Sequence, residues 1–176
     1  MKDGKFQLSD IKVSSLSKIY KLDDFDCGDT DLNEFLKKDS FAYQEAQIAN
    51  VYLVIYNDSV IGFFSLQNDA VKLGLEEKDK AEIKKPHTEF PSVKLGRLGI
   101  DKDYQRKGLG KLIIRIAVGL VRQAKRYSAC RFLTVDSYFK AVDFYIGYGF
   151  EINRHSEYAS KKHFVSMRFD LLNPPE

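Results

Sequence analysis

The chain has 176 residues, of which 44% are hydrophobic and 13% aromatic, and it carries a net charge of +3 from 28 basic and 25 acidic residues. This length and composition predict one globular domain spanning residues 1–176 and exclude a disordered chain. The mild positive charge neither requires nor excludes an anionic partner such as RNA.

The cysteine content and the apolar runs bear on the compartment. Cys27 and Cys130 form no CxxC pair and are too few for a disulfide framework, so we interpret them as reduced thiols. No apolar h-region follows Met1, and no apolar run approaches 18 residues. We therefore expect a cytoplasmic protein without a signal peptide, a membrane span or a membrane partner.

In the first half of the chain, strands are predicted at residues 8–16, 51–56 and 60–66. A turn joins the last two of these strands into a hairpin. Before this hairpin, the capping-box spacing of Asp31 and Glu34 predicts a helix over about 31–38. A second helix is expected over 41–46. Residues 75–91, rich in Glu and Lys, are interpreted as a loop or a short surface helix.

The next predicted strand, over 93–101, changes its apolar face part of the way along. Val93 and Leu95 share one face by parity, whereas Leu98 and Ile100 share the other. One inserted residue in the ladder produces such a slip, so we predict a β-bulge near residues 96 and 97.

The second half begins with a change of period. Apolar residues at i, i+3 and i+4 spacing predict an amphipathic helix, and they are Leu109, Leu112, Ile113, Ile116, Ala117, Leu120, Val121 and Ala124. Strands are predicted at 130–135, 150–152 and 164–172. A helix containing Tyr145, with Asp136 or Ser137 as its cap, is predicted between the first two. The order of elements predicts an α/β fold with a mixed sheet.

The bulged strand and the long helix are joined by residues 105–110, which read QRKGLG. A helix N-terminus presents N–H groups without intrahelical partners, and glycine lets a phosphate approach them closely. Arg106, Lys107 and Lys111 add positive charge. The segment can therefore hold a pyrophosphate. The alternative, an ordinary strand-to-helix turn with solvated basic residues, stays open on these residues alone.

Two motifs in this order resemble the GNAT acetyltransferase superfamily. The first is LGIDKDYQRKGLG at 98–110, and the second is AVDFYIGYGF at 141–150; the likeness extends over about 25–169. The resemblance implies a GNAT fold, with a mixed, mostly antiparallel sheet of six to seven strands, a central β-bulge and about four helices. It implies an acetyl-CoA-dependent N-acetyltransferase without a metal, in which a primary amine attacks the thioester directly.

The same resemblance implies the positions of the site residues. The pantetheine arm of acetyl-CoA pairs with Leu98, Gly99 and Ile100, and the Ile100 N–H stabilises the oxyanion. The pyrophosphate contacts the residues at the start of the long helix, which are Gln105, Arg106, Lys107, Gly108, Leu109, Gly110 and Lys111. Tyr145 is the general acid for the leaving thiolate. Without the family resemblance, the helical spacing of Tyr145 and Tyr148 on one face indicates that Tyr145 is a residue of the hydrophobic core.

The general base is not identified by the sequence. Asp69 and Asp136 are weak candidates, and each reads more readily as a solvated or capping carboxylate. An α-amine, with a pKa of about 8, needs less help from a base than a lysine amine, with a pKa of about 10.4. The three histidines, at positions 87, 155 and 163, have no metal-ligand spacing.

A narrower resemblance concerns the acceptor. The segment FDCGDTDLNEFL at 25–36, together with RLGID at 97–101, is similar to the acetyltransferase toxins of type II toxin–antitoxin modules. Those toxins acetylate the amino group of aminoacyl-tRNA, although stand-alone enzymes share the pattern. The acceptor is thus a small molecule, a peptide or aminoacyl-tRNA, and an antitoxin partner and a homodimer are both compatible with the resemblance. A nucleotide-binding module and a degenerate interaction protein are the alternatives from other classes.

Overall fold

The computed structural model describes residues 6–84, 86–124, 126–159 and 163–172. Within these ranges seven strands are present: Lys12–Ser15 (β1), Asn50–Tyr56 (β2), Ser59–Lys72 (β3), Glu89–Ile100 (β4), Phe132–Tyr138 (β5), Glu151–Ile152 (β6) and Phe164–Asp170 (β7). The α-helices are Thr30–Glu34 (α1), Ser40–Glu45 (α2), Leu75–Lys80 (α3), Leu109–Ala124 (α4), Val142–Ile146 (α5) and Ser156–Ala159 (α6). The π-helical turn Phe35–Asp39 joins α1 to α2.

The strands form one sheet in the order β1-β2-β3-β4-β5-β7-β6. β1 pairs with β2, β2 with β3, β5 with β7 and β6 with β7, all antiparallel. The parallel pair β4–β5 aligns Ser92–Lys94 with Phe132–Thr134. The predicted fold class is confirmed, because the sheet is mixed and mostly antiparallel.

The chain divides into two compact units. The first contains Met1–Gln67 and Gly96–Ile116, and the second contains Asn68–Leu95 and Ala117–Glu176. β3, β4 and α4 contribute residues to both units. The prediction of one domain over 1–176 therefore stays a prediction.

Each unit has its own apolar core. In the first, the rings of Phe25 and Phe63 meet edge to face at 5.6 Å, and Phe35 stacks on Phe63 at 6.0 Å. In the second, Phe90 and Phe132 meet edge to face at 6.4 Å. Burial of such rings is the main stabilising contribution to cores of this kind.

Several local predictions need correction. The first strand is shorter than predicted, because a 3₁₀ turn occupies Leu8–Asp10 before β1. The cap of α1 is Asp29, whose side chain accepts the Leu32 N–H, and not Asp31. The two predicted helices are continuous through the π-helical turn. Asp136 and Ser137 lie within β5 and cap no helix.

Both cysteines are free thiols, and Cys27 is buried. No helix in the described ranges is long and apolar enough to cross a membrane.

Candidate active site

The candidate cofactor strand contains two glycines close to the predicted position of the bulge. Between them, the Arg97 N–H donates to Ser65 Oγ at 3.0 Å. A Cβ on Gly96 would lie 2.8 Å from Gln67 Oε1, and one on Gly99 would lie 2.5 Å from Phe63 Cε1. Neighbouring side chains therefore account for the absence of a side chain at both glycines, without a ligand. The β-bulge predicted near residues 96 and 97 stays a prediction.

The loop after β4 is fixed by hydrogen bonds to its own ends. Asp101 Oδ1 accepts the Asp103 N–H at 3.0 Å, and the Tyr104 N–H donates to the Asp101 carbonyl at 2.8 Å. The Gln105 side-chain amide donates to the carbonyls of Ile100 and Cys27, both at 2.9 Å. Gln105 thus acts as a clamp on the loop, and its amide N–H₂ group is directed at these carbonyls.

The N-terminal motif at 25–36 contacts this loop directly. Asp26 Oδ2 accepts from Lys102 Nζ at 2.9 Å, and its Oδ1 accepts from Gly28 N–H and Asn33 Nδ2 at 2.9 and 2.8 Å. Asp101 Oδ2 accepts the Asp26 N–H at 3.1 Å. The hydrogen bond from Lys102 is the main reason that the pKa of Asp26 lies well below its usual range, with those from Gly28 and Asn33 next.

We call Asp26, Asn33, Asp101 and Lys102 the loop brace. Sequence analysis did not assign these residues to the site. The signal was present, because the two motifs at 25–36 and 97–101 occur together. Their pairing in space was not visible from the sequence.

The start of α4 has the geometry of an anion site. Arg106 and Gly108 have left-handed backbones, with φ of 59° and 83°. The first backbone bond of the helix joins the Leu112 N–H to the Gly108 carbonyl at 3.2 Å. Among the described residues, no acceptor takes the N–H groups of residues 109–111. These amides, at the positive end of a 16-residue helix, suit a pyrophosphate.

The basic side chains near this helix start differ in their surroundings. Lys107 Nζ lies 5.6 Å from the centroid of the Phe6 ring and 5.2 Å from that of Tyr104. Arg106 and Lys111 are exposed. All three leave positive charge beside the free amides, which complements a diphosphate.

Tyr145 lies in α5, in the second compact unit. Its ring meets those of Phe144 and Phe150 edge to face, at 5.1 and 5.2 Å, and the residue is 7% exposed. Burial raises its pKa to about 12. No group in the described ranges hydrogen-bonds to its hydroxyl. Tyr145 is therefore a protonated donor at neutral pH, held in place by its ring.

Tyr148 has the surroundings of a packing residue. Its ring lies 6.2 Å from that of Phe150 and 5.7 Å from that of Phe169. The Tyr145 carbonyl accepts the N–H groups of Tyr148, Gly149 and Phe150 at 3.1, 3.2 and 3.0 Å. These bonds end α5, and the left-handed Gly149, with φ of 108°, turns the chain into β6.

The two candidate bases are engaged with a lysine. Lys94 Nζ lies 3.3 Å from Asp136 Oδ2 and 3.6 Å from Asp69 Oδ2, and the Thr134 hydroxyl donates to Asp69 at 2.6 Å. His155 Nδ1 accepts a backbone N–H at 3.3 Å. The described part of the chain contains no group of three or more His, Cys, Asp or Glu residues able to hold a metal.

Comparison with known proteins places the chain in a family. A family model described as the acetyltransferase (GNAT) domain matches residues 22–171, and the chain belongs to this family. It is an acetyl-CoA-dependent acetyltransferase.

Several similar proteins are named for tRNA or for acetyl-CoA. A curated relative named tRNA-acetylating toxin, from Mycobacterium tuberculosis (strain ATCC 25618 / H37Rv), is 26% identical over 130 residues, 73% of this chain and 77% of its own. A structure of AtaT with acetyl-methionyl-tRNAfMet is 27% identical with a TM-score of 0.80, over 92% of this chain and 95% of its own. A structure of AtaTR bound with AcCoA is 26% identical with a TM-score of 0.76, over 94% of this chain and 96% of its own.

Proposed function

We propose that this enzyme transfers the acetyl group of acetyl-CoA to the α-amino group of an aminoacyl-tRNA. The observation that supports this acceptor most directly is the likeness to AtaT, whose structure contains acetyl-methionyl-tRNAfMet, over almost the full length of both chains. The relative from Mycobacterium tuberculosis, named for acetylation of tRNA, supports it independently.

The chemistry of the amine agrees with this acceptor. An α-amine with a pKa of about 8 is neutral in roughly one molecule in ten at pH 7, whereas a lysine amine with a pKa of about 10.4 is rarely neutral. Asp69 and Asp136 are both engaged with Lys94, so neither is a free carboxylate base. An α-amine, which is partly neutral at pH 7, therefore suits a site in which neither candidate carboxylate is available as a general base.

Acetyl-CoA is expected to lie along β4 and the start of α4. The amides of residues 109–111, flanked by Arg106, Lys107 and Lys111, are proposed to hold the pyrophosphate. Leu98, Gly99 and Ile100 are proposed to pair with the pantetheine arm. In the reaction the neutral amine nitrogen bonds to the acetyl carbon, the C–S bond breaks, the CoA thiolate leaves, and the amine's proton passes to solvent.

Tyr145 is proposed as the group that stabilises the leaving thiolate. Its pKa of about 12 means that the hydroxyl stays protonated throughout the working range. Complete transfer of the proton to a thiolate with a pKa of about 8.5 is uphill by about 5 kcal/mol. We therefore infer that the hydroxyl acts mainly by donating a hydrogen bond to the developing thiolate, with the proton arriving later from solvent.

A small antitoxin is proposed as the protein partner. AtaT has been solved bound to the C-terminus of the antitoxin AtaR. Co-purification of this enzyme with the product of an adjacent small reading frame, and inhibition of its activity by that product, are the expected results. Failure of the adjacent product to bind would remove the antitoxin part of the proposal and leave the acetyltransferase part intact.

The acceptor is tested by release of CoA thiol with matched amines. Wild-type enzyme is incubated with acetyl-CoA and aminoacyl-tRNA, the same tRNA without its amino acid, a lysine peptide or a polyamine. We expect rapid thiol release only with aminoacyl-tRNA among these four candidates. Mass spectrometry should then detect the acetylated amino acid on the tRNA. Faster turnover of the peptide or the polyamine would instead assign the enzyme to small amines.

A further inference from the structure

Arg97 holds its guanidinium over two aromatic rings. Its Cζ atom lies 4.1 Å from the centroid of the Phe35 ring and 5.6 Å from that of Tyr43. The two rings are themselves set edge to face, with centroids 5.3 Å apart and planes at 86°. Because Arg97 is half-buried and Phe35 is 2% exposed, packing fixes the plane of the guanidinium.

In the described ranges, this guanidinium has no anionic partner. The Arg97 backbone N–H is satisfied by Ser65 Oγ, but no acceptor in the described ranges takes a hydrogen bond from the side chain. Other enclosed arginines differ. Arg131 binds both carboxylate oxygens of Asp170 at 2.9 and 2.6 Å. The five donors of Arg97 are therefore available to an anion from outside the chain.

The Phe35 ring that contacts Arg97 comes from an irregular element. Phe35 begins the π-helical turn, in which the Ser40 N–H bonds to the Phe35 carbonyl five residues earlier. π-helical turns occur frequently at functional sites. The position of this turn against the Arg97 cation indicates that the direction of Arg97 matters.

We propose that Arg97 binds a phosphate of the unpaired 3′-terminal nucleotides of the acceptor RNA, an inference that rests on the proposed aminoacyl-tRNA function. A planar guanidinium forms two parallel hydrogen bonds to a phosphate, and stacking on Phe35 and Tyr43 holds it ready for that geometry. Proteins bind single-stranded nucleic acid through such combinations of cations and aromatic rings.

Two further observations agree with this substrate. A second cation–aromatic pair lies in the same compact unit, where Lys18 Nζ is 5.9 Å from the centroid of the Phe41 ring. In addition, Arg97 directly precedes Leu98–Ile100, the strand proposed to hold the acetyl-bearing arm. A phosphate bound here would place the terminal nucleotide, with its esterified amino acid, near Ile100, whose N–H the family resemblance implies as the donor to the oxyanion.

The test compares variants on an RNA minihelix that has an unpaired CCA 3′ end and is charged with methionine. Arg97→Gln removes the proposed contact, Arg97→Lys keeps the charge but loses the fork, and Arg115→Gln removes an exposed arginine as the matched control. The measurements are kcat/KM for the minihelix, acetyl-CoA affinity by calorimetry, and the dependence of minihelix binding on salt concentration.

Arg97→Gln is expected to lower kcat/KM for the minihelix by about tenfold or more, with unchanged acetyl-CoA affinity. The log–log salt slope should fall by roughly 0.7 to 1, which corresponds to one lost phosphate contact. Arg97→Lys should lower kcat/KM severalfold but keep the slope. Arg115→Gln should match wild type in kcat/KM and acetyl-CoA affinity.

The outcomes separate this inference from the function on which it rests. If wild type acetylates the minihelix and Arg97→Gln does so with equal kcat/KM and salt slope, the inference on Arg97 is wrong and the function stands. If wild type modifies neither the minihelix nor charged tRNA, the function fails and the inference fails with it. Should Arg97→Gln not fold, wild-type behaviour of Arg97→Lys would overturn the proposed bidentate contact.

Discussion

Lys102 donates a hydrogen bond to Asp26 across 2.9 Å, although 76 residues separate the two along the chain. The Lys102 N–H also donates to the Asp26 carbonyl at 2.9 Å. Together with Asp101 and Asn33, this pair fixes the entrance of the loop that leads to α4. The loop brace therefore makes the proposed cofactor loop depend on the N-terminal segment.

The loop brace predicts a specific loss of stability in acid. The folded-state pKa of Asp26 is lowered, so its stabilising contribution is present above the unfolded pKa of about 3.9 and disappears as pH falls through the folded value. Asp26→Asn should lower Tm at pH 7, and the difference from wild type should shrink below about pH 4. Thermal unfolding at a series of pH values measures this.

Asp24→Asn is the control for this comparison, because Asp24 is an exposed carboxylate two residues away. Its Tm should follow that of wild type at every pH. A Tm difference for Asp26→Asn that stays constant from pH 7 to pH 2 would contradict the ionic origin of the effect.

Gly108→Asp is expected to weaken acetyl-CoA binding by at least tenfold. Gly108 has φ of 83°, which strains any side chain, and a carboxylate there would repel the pyrophosphate. Isothermal calorimetry provides the affinity. Gly119→Asp, within α4 and with no atom within 4 Å of its added Cβ, is the matched control. Equal affinities for wild type and a folded Gly108→Asp would reject the proposed pyrophosphate position.

Tyr145→Phe should lower kcat and leave acetyl-CoA affinity nearly unchanged, because it removes one hydroxyl and keeps the packed ring. General acid catalysis contributes about 10²- to 10⁴-fold. A pKa of about 12 opposes full proton transfer, so we expect the lower end of that range. Single-turnover rates with one amine measure the effect.

The pH profile distinguishes hydrogen-bond donation from full proton transfer. Because the Tyr145 hydroxyl stays protonated and donates throughout, the rate difference between wild type and Tyr145→Phe should persist above about pH 8.5, whereas full proton transfer would make it shrink there. Tyr148→Phe should remain close to wild type. Equal rates for wild type and Tyr145→Phe would show that Tyr145 has only a packing role.

The buried pair of Glu77 and Arg168 predicts a large change in stability. Arg168 Nη1 donates to Glu77 Oε1 at 2.6 Å, and their side chains are 6% and 7% exposed, respectively. Glu77→Ala removes one charged hydrogen bond from the buried Arg168, which keeps its ion pair with Glu151, and should lower the free energy of unfolding by about 1.5–3 kcal/mol. Urea denaturation measures this. Glu76→Ala, at an exposed position, should change it by less than about 0.5 kcal/mol; similar losses in both variants would contradict the argument.

Local patterns predicted the elements whose causes are local. The long helix was predicted from its apolar period, and α4 spans Leu109–Ala124. The hairpin turn was predicted from its residue types, and Asn57 and Asp58 have the left-handed backbones, with φ of 47° and 60°, that such turns require.

Features with distant causes were not predicted. The π-helical turn at Phe35–Asp39 has no sequence period of its own, so 31–46 read as two helices. Residues 136 and 137 look like caps locally, but pairing of β5 with β7 through Tyr138 makes them strand. The loop brace joins residues about 75 positions apart, which no local pattern encodes.

The loop brace also has a thermodynamic consequence. Binding and local order are linked reciprocally. If the loop brace favours the loop conformation that binds acetyl-CoA, then bound acetyl-CoA stabilises the segment around Asp26 by the same free energy. The cofactor should slow amide exchange at Gly28 and Asn33, residues proposed to make no contact with it. A protein that binds the segment around Asp26 would consequently change the enzyme's affinity for acetyl-CoA without contacting the cofactor site.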